Sequence, residues 1–192
     1  MPHRLCPWWL GYFHLGPLRG LRQDPQAILS PYVGTGMTVL DAGCGMGYFS
    51  LPLARMVGPT GRVICVDVQR RMIDALSCRA RRAGLDERIE ARVCQPTDLG
   101  IQDLRAKINF ALLFAVAHEV ADQAGFFQQV YASLSTGARV LLAEPVAHVR
   151  ALEFARSLDV AATAGLTVLD QLDIGHARAA VLVAVPTDPA GR

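Results

Sequence analysis

Short apolar runs alternate along the chain with stretches in which apolar residues recur every three or four positions. That alternation predicts βαβ units around a mostly parallel sheet. Runs at 38–42, 62–67, 88–94, 108–115, 138–143, 167–172 and 178–185 read as strands. The stretches 47–57, 69–83, 122–134 and 147–164 read as helices, with a short one near 101–106. Met72, Leu76, Ala80 and Ala83 define the buried stripe of the second helix. Gly58-Pro59-Thr60-Gly61, Gly84 and Gly137 stand where elements should stop. Only Asp173 to Ala177 separate the last two strands, too few residues for a parallel crossover, so these two should pair antiparallel. The expected fold class is α/β, a seven-stranded mostly parallel sheet with a C-terminal antiparallel hairpin and helices on both faces.

The first strand runs into a glycine-studded turn, Val39 to Ser50 (VLDAGCGMGYFS). Gly43, Gly45 and Gly47 follow Asp41 in a D-x-G-x-G-x-G arrangement, and a glycine lets backbone pass close to a ligand with no Cβ in the way. A nucleotide-like ligand is expected there. The dinucleotide fingerprint G-x-G-x-x-G fails in both registers, because Tyr48 takes the third slot counted from Gly43 and Ser50 takes it counted from Gly45. A nicotinamide enzyme is disfavoured on that ground.

A second concentration of chemistry lies after the fourth predicted strand. Ile108 to Ala117 is almost continuously apolar, as a strand buried on both faces is, and it ends in His118-Glu119-Val120. Its carboxyl end should open onto the same crevice as the glycine loop. Glu144 and His148 should lie just past the neighbouring fifth strand, so two His and two Glu converge. A neutral imidazole titrates near physiological pH and can accept a proton or anchor a substrate, which makes His118 and Glu119 the candidate catalytic residues. The competing reading is structural, with His118 capping the next helix or bonding a loop carbonyl. The spacing of these four fits no compact metal-ligand motif, so no metal is expected.

Length and charge narrow the classes. At 192 residues the chain is one domain with room for a real core. Hydrophobic residues make up 52%, yet no uninterrupted apolar run reaches the roughly eighteen residues a membrane span needs. Pro2, Pro7, Pro17, Arg4 and Arg19 break the early apolar stretches before a signal-peptide core can form. The five cysteines form no C-x-x-C pair and read as free thiols in a reducing compartment, so a cytoplasmic location is expected. Net charge is +2, which implies no general affinity for polyanions. Arg70, Arg71, Arg79, Arg81, Arg82 and Arg88 cluster on and just after one predicted helix and read as a solvated face, making a nucleic-acid partner the lesser reading. Residues 1–36 hold five of the thirteen aromatics, interleaved with prolines, and read as an appended cap; 37–186 form the main domain and 187–192 a loose tail.

Taken in order, these motifs resemble class I S-adenosylmethionine (SAM) methyltransferases, whose Rossmann-like sheet also has seven strands and a terminal antiparallel hairpin. The resemblance covers about residues 30 to 186. It implies SAM as cofactor, with Asp41 ordering the methionine end and Gly43, Gly45 and Gly47 making room for its body. Val63 to Asp67 resembles the second strand, whose terminal acid accepts hydrogen bonds from both ribose hydroxyls; this falls to Asp67, with Val68 beside it in the same site. Val93 to Leu99 resembles the adenine-contacting segment. The family's usual acid is replaced there by Gln95, whose amide can both accept and donate, and Asp98 competes for the role. Ser135 to Pro145 resembles the glycine turn and fifth strand typical of small-molecule methyltransferases. The activity implied is methyl transfer to a small, partly apolar acceptor. Alternatives are a SAM- or nucleotide-binding module without turnover, and an RNA or protein methyltransferase.

Overall fold

The computed structural model describes residues 23–185. The early aromatic stretch with Trp8, Trp9, Tyr12 and Phe13, the thiol of Cys6, and the tail 187–192 lie outside the described residues. Of the cap segment, the described part holds helix α1 (Pro25–Leu29), which opens on a proline and is capped by Asp24 accepting from the Gln26 N–H at 2.9 Å.

Seven strands follow: β1 (Thr38–Ala42), β2 (Arg62–Asp67), β3 (Ile89–Val93), β4 (Ile108–Phe114), β5 (Leu134–Pro145), β6 (Leu166–Ile174) and β7 (Ala177–Ala184). The longer helices between them are α2 (Ser50–Met56), α3 (Arg70–Arg82), α4 (Gln123–Ser133) and α5 (Ala151–Thr163). All form one sheet in the order β3-β2-β1-β4-β5-β7-β6. Every pairing is parallel except those of β7, which runs antiparallel to both β5 and β6. Sheet class, strand number and terminal hairpin are those expected from the sequence.

Burial explains the strand composition. Leu40, Ile64, Leu113 and Leu142 point to one face under α4 and α5, with Phe127 and Phe154. Val39, Val63, Leu112 and Leu141 point to the other under α1, α2 and α3, with Leu29, Leu53 and Leu76. Each fully buried side chain of this size contributes about 1.5–3 kcal/mol. Strands with helices on both faces are apolar at successive positions, which is why β4 reads as an unbroken run.

Three boundaries differ from the sequence expectation by three residues or more. The helix expected from residue 47 begins at Ser50, because Gly47 adopts φ +82° and cannot join an α-helix. The one expected from residue 147 begins at Ala151, after a turn in which the His148 and Val149 N–H groups both bond the Pro145 carbonyl. Strand β5 starts at Leu134 instead of 138: Ile108 pairs with Leu134 but Phe110 pairs with Arg139, so the glycine turn is a bulge inside the strand.

Gly47 is also boxed in, since a Cβ there would lie 2.3 Å from Leu76 Cδ1 and 2.9 Å from Leu51 Cδ1. Gly47→Ala should therefore lower unfolding stability by about 1–3 kcal/mol, from overpacking together with the positive φ. Urea unfolding checks this. A variant as stable as the parent would show that Leu76 yields freely.

Candidate functional site

Parallel strands put their carboxyl ends at one edge, and the site is built there. The Gly43 and Cys44 N–H groups bond the Val66 carbonyl at 2.8 and 3.2 Å, which folds the glycine loop back over the end of β2. Asp67 then clasps two segments. Its Oδ2 accepts from the Gly45 N–H at 3.0 Å and its Oδ1 from the Gln69 N–H at 2.8 Å, at the N-terminus of α3. Arg79, from the cluster read as solvated, donates from Nη1 to the Met46 carbonyl and ties α3 to the same loop.

The three loop glycines do different work. A Cβ on Gly43 would sit 2.6 Å from Val116 Cγ2, so this glycine lets the loop meet the end of β4. Gly47 meets α3, as described above. Gly45, at φ +53°, has nothing within 4 Å of its Cβ position and faces open space. Packing accounts for Gly43 and Gly47, whereas Gly45 is left uncovered.

Asp41 is 3% exposed and accepts from Ser50 Oγ at 2.5 Å, which locks the first residue of α2 onto β1. Burial pushes its carboxyl up to about 7, against the Ser50 hydrogen bond and with help from the charge of Asp67. Asp67 is also raised by burial, its two backbone hydrogen bonds opposing the shift. Val68, half-buried, packs on the core beside it.

After β3 the Cys94 N–H bonds the Asp67 carbonyl at 3.0 Å, bringing the next loop to the same edge. Gln95 and Asp98 close that loop through reciprocal backbone bonds of 2.9 and 3.2 Å. Gln95 and Asp98 are both exposed, and Asp98 Oδ1 is occupied by the Gly100 N–H at 2.8 Å and Gln102 Nε2 at 2.6 Å. Gln129 of α4 holds the loop from outside: its Oε1 accepts from the Leu99 N–H at 2.8 Å and its Nε2 donates to the Thr97 carbonyl at 3.0 Å.

Strand β4 ends at Phe114 and is followed by Ala115, a non-glycine residue at φ +58°, a conformation that costs roughly 1–2 kcal/mol. The turn lays Val116 over Gly43 and starts a short 3₁₀ segment, Ala117–Glu119. Glu144, at the end of β5 and 1% exposed, receives that segment. Its Oε1 accepts from the Ala117 N–H at 2.8 Å and the His118 N–H at 3.3 Å, and its Oε2 meets His118 Nδ1. The His118 side chain stays 22% exposed, and His148 stands edge-on to it with ring centroids 5.7 Å apart. Burial acts to lower the His118 pKa, but the hydrogen bond and charge of Glu144, with the charge of Glu119, outweigh it and the net shift is upward. Among the described residues no group of three or more His, Cys, Asp and Glu is arranged to hold a metal ion.

The structure thus brings Asp41, Gly45, Asp67, Val68 and Gln95 to one stretch of the edge and His118 and Glu119 to the end of β4 next to it. Sequence reasoning missed Gln129 and Arg79, which no local pattern marks, and did not see that Glu144 pairs with His118.

An acidic end on β2, an open glycine after β1 and an imidazole just after β4 lie along one carboxyl edge of a doubly wound α/β sheet, the edge at which such folds bind ligands. Comparison with known proteins settles the class. The profile of a methyltransferase-domain family matches residues 34–173, and the chain belongs to that family.

A SAM-dependent methyltransferase from Aquifex aeolicus superposes with TM-score 0.84 at 21% identity over 94% of this chain and all of that one. Geranyl diphosphate C-methyltransferase from Streptomyces coelicolor A3(2), solved with S-adenosyl-L-homocysteine, gives TM-score 0.66 at 16% identity over 85% of this chain and 78% of that one. Among curated relatives, an arsenite methyltransferase of Halobacterium salinarum is 32% identical over 124 residues, 64% of this chain. A 23S rRNA (uracil(1939)-C(5))-methyltransferase of Acinetobacter baumannii is 46% identical over 50 residues, 26% of this chain. The chain spans only 30% and 11% of those two proteins' lengths.

The residues present fit SAM. Each Asp67 oxygen holds one backbone N–H, and a carboxylate has about four acceptor positions, which leaves room for two ribose hydroxyls. The space over Gly45 is what a ligand body needs.

A buried carboxyl with a raised pKa makes a pH prediction with a definite sign. Asp41 goes from an ordinary 3.8 when unfolded to about 7 when folded, so the native state holds the extra proton between these values and stability falls as pH rises through them. Asp41→Asn keeps an acceptor for Ser50 but cannot ionise. The stability of the parent relative to this variant should fall between about pH 4 and 7, by on the order of 4 kcal/mol. Urea unfolding across that range measures it, and a constant difference refutes the assignment.

Proposed function

We propose that this member of the methyltransferase-domain family transfers a methyl group from SAM to a small, partly apolar acceptor, with His118 as the group that takes the acceptor's proton. The observation that carries the reading is the His118–Glu144 pair. With Nδ1 held by Glu144 at the carboxyl edge of the sheet, the partly exposed ring has Nε2 to offer to a substrate. Val116 and Val120, two residues to either side of it in the chain, are partly buried against the core and supply apolar surface at this edge. Glu119 adds negative charge beside the ring that favours the imidazolium formed on proton transfer.

At the cofactor end we assign Asp67 to the ribose hydroxyls, Val68 to the wall beside them, Gly45 to the body of SAM and Asp41 to its methionine end. Gln95, exposed and able to accept and donate, is assigned to adenine, with Asp98 and Gln129 shaping its loop. Gly43 and Gly47 support the site through packing. SAM supplies a methyl group already activated on a sulfonium, so the protein's task is alignment and exclusion of water. The free thiols of Cys44, Cys65, Cys78 and Cys94 support a reducing, cytoplasmic setting, and among the described residues no helix is long and apolar enough to cross a membrane.

The decisive experiment is a screen of small acceptors with isotope-labelled SAM, together with calorimetry. Asp67→Ala should weaken SAM and S-adenosylhomocysteine binding by about 1–3 kcal/mol, the range for hydrogen bonds to charged groups. Undiminished affinity sinks the ribose assignment. His118→Ala should lower turnover roughly 10²–10⁴-fold with SAM affinity unchanged. Transfer to RNA with a steep loss of binding in salt, instead of to small molecules, would overturn the acceptor class.

A further inference from the structure

Glu144 is a buried carboxyl at the end of β5, beside His118, and its hydrogen bonds are asymmetric. Oε1 is taken by two backbone N–H groups, of Ala117 and His118, which fixes the plane of the carboxyl. Oε2 is thereby aimed at the imidazole Nδ1. With donors converging on it, the carboxyl acts as acceptor, so the hydrogen between the two side chains belongs to Nδ1. A neutral His118 then carries its lone pair on Nε2, and the ring cannot turn over without losing this bond. The other ionisable groups facing the ring are Glu119, on the same 3₁₀ segment, and His148, on the turn after β5.

We propose that Glu144 is a positioning residue that fixes the tautomer of His118, and that the pair selects an acceptor arriving as a neutral, weakly acidic hydroxyl such as a phenol or enol. The proposal rests on the function proposed above. In the step, the acceptor O–H gives its proton to Nε2 of His118 while the oxygen's electron pair forms the bond to the methyl carbon. The electrons of the broken carbon–sulfur bond stay on sulfur. The products are a methyl ether, S-adenosylhomocysteine and an imidazolium whose charge is balanced by Glu144. A carboxylate acceptor brings no proton for His118 to remove, and its charge is repelled by Glu119 and Glu144.

Glu144→Gln is the discriminating change. The amide keeps an oxygen for the Ala117 and His118 N–H groups, but it presents an NH₂ to Nδ1, and a donor there forces Nδ1 to accept. The ring must then carry its hydrogen on Nε2, the wrong tautomer for a base. Long-range ¹H–¹⁵N NMR of the full chain with ¹⁵N-labelled histidine reads this directly, and His118→Gln identifies the resonances by removing them. The parent should show the Nδ1–H tautomer and titrate above 6.5, and Glu144→Gln should show Nε2–H and titrate lower.

An Nε2–H tautomer in the parent overturns the positioning role, as does an unchanged tautomer in Glu144→Gln. These readouts need neither SAM nor acceptor, so they stand apart from the function above, which fails if calorimetry finds no SAM binding. With labelled SAM, transfer to phenols should fall roughly 10²–10⁴-fold in kcat in Glu144→Gln, with the KM for SAM unchanged. Faster transfer to carboxylic acids than to phenols, insensitive to the substitution, overturns the acceptor class.

Discussion

Where parallel strands end, backbone N–H groups turn inward with no neighbouring strand to receive them, and satisfying those groups is the constraint on which this edge depends. Two carboxylates answer it. Asp67 receives Gly45 and Gln69, joining the glycine loop to α3, and Glu144 receives Ala117 and His118, joining the end of β4 to β5. Among the described residues no buried side-chain nitrogen or oxygen lacks a partner. The groups that hold the edge together are therefore the ones that give it charge, and local stability and chemistry are tied to the same atoms.

Much of the fold was legible because it rests on local patterns. Strand β4 is apolar throughout because helices cover both its faces, and the few residues between β6 and β7 permit only a hairpin. The glycine loop was legible as a tight turn from β1 into the next helix, but the separate packing duties of its glycines were not. Gly43 is required by Val116 and Gly47 by Leu76, contacts across long stretches of chain that no spacing rule carries. The same reason hides Gln129, which acts on a loop some thirty residues away, and Arg79, whose place in an arginine-rich helix hides its bond to Met46. Glu144 and His148 could be placed near His118 from strand order, whereas their geometry could not, because it turns on the left-handed backbone of Ala115.

The relatives divide along the same line. The acceptors in their names run from arsenite to a uracil of 23S rRNA, and this chain spans a minor part of both proteins. A common cofactor end with differing acceptor edges is what a fold that hosts grafted sites produces. The acceptor therefore has to be argued from His118, Glu119, Glu144 and their valine neighbours rather than from the fold.

Proton chemistry links the two ends of the edge. Asp41 and His118 both hold protons to higher pH in the folded chain than in water, one because burial disfavours its charge and the other because two carboxylates favour its charge. The stability from His118 is fully present below its unfolded value of about 6.5 and is lost as pH rises through its folded pKa; Asp41 likewise favours the native state less as it ionises. In the roles proposed here, function runs the other way. An ionised Asp41 suits a cationic cofactor, and a neutral His118 is the form that can take a proton. Raising the pH thus improves the chemistry at both ends while withdrawing stability from both, the trade expected where a site is held by groups whose charge the fold itself opposes or requires.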